Sequence, residues 1–178
     1  MAGSRGDERA WIRGAQSGSV PDLEALFRHH WPRAYRAAYL VVHDSAAAED
    51  IAQEAFLAAI RGLDRFDRRR PFGPWLHRIV VNRAIDWSRS RSLRRESSDA
   101  WLGLVAAPAP PDGEHAQTLA AALADLSPEH RAVIVMRHLL EYTPGEIAKA
   151  LGLPRGTVNS RLRRGLDELA DRLEGDLQ

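Results

Sequence analysis

The chain has 178 residues, 44% of them apolar, no cysteine and a formal net charge of +1. Such a chain can bury one medium core or two small ones and is not a disordered tail, and the missing cysteine excludes disulfides, thiolate metal sites and a thiol redox switch. No stretch approaches the roughly 20 apolar residues of a membrane helix, and Met1 to Arg9 carry no apolar signal core, so a cytoplasmic protein without membrane insertion is expected.

The small net charge conceals an asymmetry. Between Arg61 and Arg95 there are eleven Arg and three acidic residues, which leaves 14 basic and 21 acidic residues for the rest of the chain. A basic segment beside an acidic remainder suits a protein that offers one face to nucleic acid. Helical periodicity dominates and strand signals are scarce, so an all-α fold is expected. Leu23, Leu26, Phe27, Trp31, Ala34, Tyr35 and Ala38 recur at three- and four-residue steps, with Pro32 expected to kink or divide the run. Ala46 to Leu63 places Ile51, Ala55, Ala59 and Leu63 on one stripe, and Trp75 to Ser90 buries Leu76, Ile79, Val80 and Ile85 or their neighbours. These three helices form an N-terminal bundle. His29 and His30 point in different directions from one helix and are read as partly exposed.

From Ser97 to about Gln117 the chain turns rich in Pro and Gly, as a linker does. A short helix follows from Leu119 to Leu126. Ser127-Pro128 opens another, with Ser as N-cap and Pro in the first turn. Thr143-Pro-Gly-Glu146 reads as a capping box for a helix that stops at Gly152, and a last helix begins near Arg155. The second domain is a four-helix unit.

Two short helices joined by a Gly-containing turn read DNA when the second helix is basic and exposed. Here the second helix carries no acidic residue from Arg155 to Arg164. Val158, Leu162, Gly165 and Leu166 form its expected buried stripe. Arg155 and Thr157 sit at its start, and Asn159, Ser160, Arg163 and Arg164 lie beside or opposite the stripe. Arg163 and Arg164 suit guanine edges or phosphates, and Asn159 suits adenine. In the N-terminal bundle, Asp50, Gln53 and Glu54 fall at i, i+3 and i+4 with Phe56 on a neighbouring side. Helix physics alone reads that as a solvated face.

The motifs Asp50-x-x-Gln53-Glu54-x-Phe56, Pro74-Trp75-Leu76-x-Arg78-Ile79-x-x-Asn82-x-x-x-Asp86 and Arg89 to Arg95 resemble region 2 of bacterial extracytoplasmic-function (ECF) sigma factors. Leu126-Ser-Pro-Glu-x-Arg131 through Gly156-Thr-Val-x-Ser-Arg-Leu-x-Arg164 is similar to their region 4. The matches run from about Leu23 to Leu173 in the family's order, with no counterpart of a region 3 domain. The resemblance implies residues 1–18 as an N-terminal extension, 19–96 as region 2, 97–117 as a linker and 118–175 as region 4. It implies that Asp50, Gln53, Glu54 and Phe56 dock on core RNA polymerase. Promoter DNA at the −10 element would meet Arg78, Asn82, Arg83 and Arg89, and the loop Phe66 to Arg70, with Arg68 and Arg69, would receive a flipped base. Arg155, Thr157, Asn159, Ser160, Arg163 and Arg164 would read the −35 duplex. An anti-sigma factor is the expected regulator.

Trp75 reads as a core residue rather than a stacking platform, and Trp87 as either. The competing reading is a helix-turn-helix regulator that binds duplex operators without polymerase. It would need a receiver or ligand domain, for which the N-terminal bundle lacks an alternating β/α pattern. A metalloenzyme is the third class. Glu49, Asp50 and Glu54 could ligate a metal, but no His or further acid at helical spacing completes a site. No enzymatic activity, metal or cofactor is therefore expected.

Overall fold

The computed structural model describes residues 5–97 and 114–175, and all regular structure among them is helical. The stretch 98–113, most of the expected linker, lies outside the described residues. Helix α1, Arg5–Gln16, occupies what sequence alone read as an extension. It earns its place by burying Ile12 completely and by the Glu8 carboxylate, 2.9 Å from Nε2 of His30. His30 is therefore 8% exposed and paired, not a surface residue, and its hydrogen bond, aided by its charge, holds Glu8 below the usual carboxylate range.

Ser19 caps α2, Val20–Val42, by accepting the Asp22 N–H, with Pro21 in the first turn. Pro32 neither divides nor ends this helix. The ring removes one N–H, but both Pro32 and Arg28, whose carbonyl loses that partner, are exposed, so water can satisfy the oxygen. The helix ends at His43 in the left-handed conformation, φ 51°, its N–H on the Tyr39 carbonyl at 2.8 Å. Asp44 starts α3, Ser45–Gly62, accepting the Ala47 N–H at 3.0 Å through one oxygen while the other holds Arg91 at 2.9 Å. A single 3₁₀ turn, Leu63–Arg65, and a loop lead to α4, Phe72–Ser97.

Helices α2, α3 and α4 pack as the N-terminal bundle, with α1 laid across α2. Their contact faces are rich in alanine: Ala34, Ala37, Ala38, Ala48, Ala52, Ala55, Ala59 and Ala84 are all fully buried. Small side chains let the axes approach closely, and Leu26, Val41, Leu76, Val80 and Val81 fill the remaining space.

The second unit holds α5, Glu114–Ala124, α6, Pro128–Ile134, α7, Pro144–Leu151, and α8, Arg155–Gly175. Helix α5 begins earlier than the expected Leu119. Helix α6 widens into a π-type turn, Val135–Leu139, closed by Leu140 N–H on the Val135 carbonyl at 3.1 Å. Ser127 caps α6 and the Thr143–Glu146 capping box is fully formed on α7. The buried stripe of α8 is Val158, Leu162, Gly165 and Leu169. Leu166, expected inside it, is 39% exposed because the 3.6-residue repeat carries it past the contact with α6. Gly165 is required there: a Cβ would stand 3.0 Å from His130 Cβ and from Ile134 Cδ1.

Candidate nucleic-acid and docking surfaces

The helix-turn-helix is α7, a three-residue turn and α8. Gly152 takes φ 65°, which its missing side chain permits, and the Leu153 N–H returns to the Ala148 carbonyl at 2.9 Å. This sharp turn leaves Arg155, Asn159, Arg163 and Arg164 exposed on α8. Thr157 is half-buried, and the half-buried Ser160 donates its hydroxyl proton to the Thr157 carbonyl at 3.0 Å. Ser160 thus keeps only acceptor capacity toward a ligand. Arg155, Arg163 and Arg164 have no ion-pair partner among the described residues, so their charge faces outward uncompensated.

The loop between the 3₁₀ turn and α4 is built on stacked rings. Phe66 lies on Trp75 with centroids 4.6 Å apart and planes 28° apart, and Phe72 meets both edge-on. Trp75 is half-buried and packs over Gly62, where a Cβ would meet its ring at 3.1 Å. The Gln16 side-chain amide donates to the Leu63 and Phe66 carbonyls at 2.8 and 3.0 Å, tying the loop to α1. Arg68, Arg69 and Arg70 are exposed. Asp67 accepts from the Arg69 N–H and guanidinium, which holds its carboxyl below the usual range.

Along α4, Arg78 is exposed and lines a cleft of about 720 Å³ with Phe66, Arg70, Trp75, Tyr142 and Lys149. Asn82 is half-buried, its amide 3.5 Å from the Ala150 carbonyl. Arg83 pairs with Glu54 of α3, so one expected DNA contact is joined to one expected polymerase contact. Arg89 pairs with Glu129 of α6 at 2.8 Å. The Trp87 ring carries the Arg91 guanidinium 5.0 Å from its centroid.

Asp50, Gln53 and Glu54 form an exposed stripe on α3, with Gln53 bonded to Glu49 at 3.2 Å. Phe56 does not join that surface. It is 4% exposed, in the core against Phe27 and Trp31, two positions from Glu54 and therefore about 200° around the helix. The apolar groups beside the stripe are Leu57, 51% exposed, and Ile60, 39%, with Phe27 and Val20 of α2 across an adjoining groove. Sequence reasoning passed over Leu57 and Ile60. Leu57 stands at i+4 from Gln53 and i+3 from Glu54, and Ile60 at i+7 from Gln53, which was the available signal.

Among the described residues, no helix is long and apolar enough to cross a membrane.

The Sigma-70 region 2 family model matches residues 26–94, and the Sigma-70, region 4 model matches residues 116–169. The chain is 35% identical over 162 residues to the ECF RNA polymerase sigma factor SigE of Mycolicibacterium smegmatis, covering 87% of this chain and 63% of SigE. It is 31% identical to SigW of Bacillus subtilis, covering 78% of this chain and 82% of that protein. Against SigL of Mycobacterium tuberculosis the identity is 34%, over 86% and 89% of the two chains. Among solved structures, CnrH in complex with the cytosolic domain of CnrY superposes with TM-score 0.70 and 28% identity, covering 96% of this chain and 99% of that one. The sigma factor RpoE of Bartonella quintana, in complex with the anti-sigma factor NepR, shares the fold with TM-score 0.73 and 24% identity, over 87% and 98% of the chains.

Proposed function

The chain belongs to the ECF RNA polymerase sigma factors, and from that membership we propose that it binds core RNA polymerase and directs it to promoters through the −10 and −35 elements. The observation that carries the reading is the exposed face of α8, whose Arg155, Arg163 and Arg164 have no ion-pair partner among the described residues, set behind a tight turn on the same chain as a basic α4 and its aromatic loop. Arg155, Asn159, Arg163 and Arg164 suit major-groove edges and phosphates of the −35 duplex. Phe66 with Arg68, Arg69, Arg70 and Arg78 suits a single strand, where rings stack on bases and guanidinium groups neutralise phosphate. Asn82, Arg83 and Arg89 complete the −10 surface on α4.

Residues 19–97 act as region 2, 98–113 as the linker and 114–175 as region 4. The stripe of Asp50, Gln53 and Glu54 docks on core polymerase, with Leu57 and Ile60 supplying the apolar contact that Phe56 does not. An exposed apolar strip beside charged groups is what a partner surface requires. The chain works in the cytoplasm, supplies no catalytic chemistry of its own, and is held by an anti-sigma protein until needed. Co-purification from the native host tests that control; a free pool under all conditions would count against it.

The deciding experiment is run-off transcription with purified core polymerase on the promoter of the chain's own operon. A start-specific transcript is expected with the protein and is lost when Asn159, Arg163 and Arg164 become Ala. A duplex shift without polymerase and no transcript in any condition would favour an operator-binding regulator instead.

A further inference from the structure

The junction of the two halves holds a cleft of about 720 Å³, a volume ordinary for a small-molecule site. Four cations line it: Arg65 from the 3₁₀ turn, Arg70 from the loop, Arg78 from α4 and Lys149 from α7. All four are exposed, and none has an ion-pair partner among the described residues. The two carboxylates on the same walls are already engaged. Asp67 accepts from the Arg69 N–H and guanidinium at 3.0 and 3.1 Å. Glu146 accepts from the Thr143 N–H and hydroxyl at 2.8 and 2.7 Å. Positive charge is therefore in surplus, and its counterpart is an anion of two or more charges.

The rest of the lining selects the kind of anion. Phe66, Trp75 and Tyr142 bring half-buried rings to the cleft, with Pro71 and Pro74 beside them. Trp75 is taken up by Phe66 and Gly62, which leaves Phe66 and Tyr142 for a ligand. Bare phosphate or sulfate would use the cations and leave those rings in water, whereas a planar base gains by stacking on them. Guanidinium groups match phosphate oxygens in pairs, and the lysine adds a point charge. We propose that this cleft binds a free nucleoside polyphosphate, with its base among Phe66 and Tyr142 and its phosphates among Arg65, Arg70, Arg78 and Lys149.

The walls are set before any ligand arrives. Gln16 holds the Leu63 and Phe66 carbonyls at 2.8 and 3.0 Å, and the Arg70 N–H closes a turn on the Asp67 carbonyl at 2.9 Å. The Tyr142 hydroxyl stands 3.0 Å from Nδ1 of His77, and the Tyr142 N–H donates to the Met136 carbonyl at 2.9 Å. Trp75 and Arg78 are three positions apart on α4, as Glu146 and Lys149 are on α7, so each pair shares one helix face. A preformed site loses little ordering entropy when it fills. Phe66, Arg70 and Arg78 are also among the residues proposed above to meet the −10 strand. On that reading the ligand and the strand exclude each other, while nucleotide binding itself does not depend on it.

Calorimetric titration of the free full-length chain tests the site, with ADP, inorganic pyrophosphate and adenosine as probes. ADP should bind one to one, and its affinity should fall as salt is raised. Pyrophosphate, which has no base to stack, should bind at least about five-fold more weakly. Adenosine, which has no phosphate, should bind at least about ten-fold more weakly. Arg65 and Lys149 take no part in the promoter or polymerase contacts proposed above, so the pair Arg65→Gln, Lys149→Gln isolates the cleft. This pair should weaken ADP by about ten-fold or more, while its melting temperature and run-off transcription match the parent's. Arg163→Gln with Arg164→Gln removes as much charge from α8 and should leave ADP affinity unchanged. Equal weakening by the two pairs, or pyrophosphate binding as tightly as ADP, reduces the effect to unspecific anion attraction and overturns the proposal. No heat and no rise in melting temperature with millimolar ADP overturns it outright, whatever transcription shows. ADP binding by a parent that gives no run-off transcript supports the cleft and overturns the sigma reading instead.

Discussion

The two imidazoles at the junction, His43 and His77, show how burial sets a charge state. Nε2 of each is buried without a hydrogen-bond partner. Burial pushes His77 down to about 3, with His30 and Arg33 adding in the same direction, and pushes His43 down to about 4, reinforced by the Arg131 guanidinium and opposed by Asp125. Tyr142, facing His77 from region 4, has its phenol raised by the same desolvation and stays neutral. Both histidines titrate below their free value, so the stability they contribute is complete above about pH 6.5 and is lost as the pH falls below it. One unit below, at pH 5.5, each costs about 1 kcal/mol. The melting temperature should be about 5 °C lower at pH 5.5 than at 7.5, and His77→Gln should remove roughly half of the difference. Parallel pH profiles for parent and variant would show that His77 does not carry the effect. Sequence could not reveal this, because one imidazole in an apolar helix run reads the same whether or not Tyr142 covers it.

At the level of elements, α1 is a brace for the loop proposed to meet single-stranded DNA. Gln16 spans the 3₁₀ turn with two hydrogen bonds, and Glu8 clamps the His30 side chain that lies against Phe72 and Gly73. Gln16→Ala removes both amide donors and leaves the buried face of α1 intact. It should reduce run-off from a duplex promoter several-fold while leaving a template already melted at the −10 element nearly unaffected. Equal loss on both templates would point to a general folding defect. Two helix starts were legible, because Ser127 and Thr143 cap as their side chains dictate, whereas the caps at Ser19 and Asp44 were passed over. Helix α1 was not, since its apolar residues, Trp11 and Ile12 chief among them, are few and are buried only once α2 lies beside it.

For the whole molecule, the packing of α4 against α6 and α7 predicts a compact particle. A packed chain of 178 residues has a radius of gyration of about 16 Å. X-ray scattering of the free protein should return a value near this with a single-body profile. Two separately tumbling halves would give a clearly larger radius and a two-body profile. Salt provides a second handle within the same measurement, because Arg33–Glu141 and Arg89–Glu129 are partly exposed and screened by ions. The radius should grow as salt is raised.

The helical class, the two units in order and the basic second helix of the helix-turn-helix were all written in the sequence, because each depends on neighbours within one or two turns. Caps, apolar periodicity and the Gly152 turn are local, so a single chain is enough to read them. Tertiary structure alone decided that Phe56 belongs to the core while Leu57 and Ile60 face outward, and that His30 is buried. It also decided that Arg83 and Arg89 are already paired. Arg89 and Glu129 lie 40 positions apart, and Arg33 and Glu141 lie 108 apart. At such separations a charge has many possible partners, and only the packing of α4 against α6, and of α2 against the π-type turn after α6, selects one.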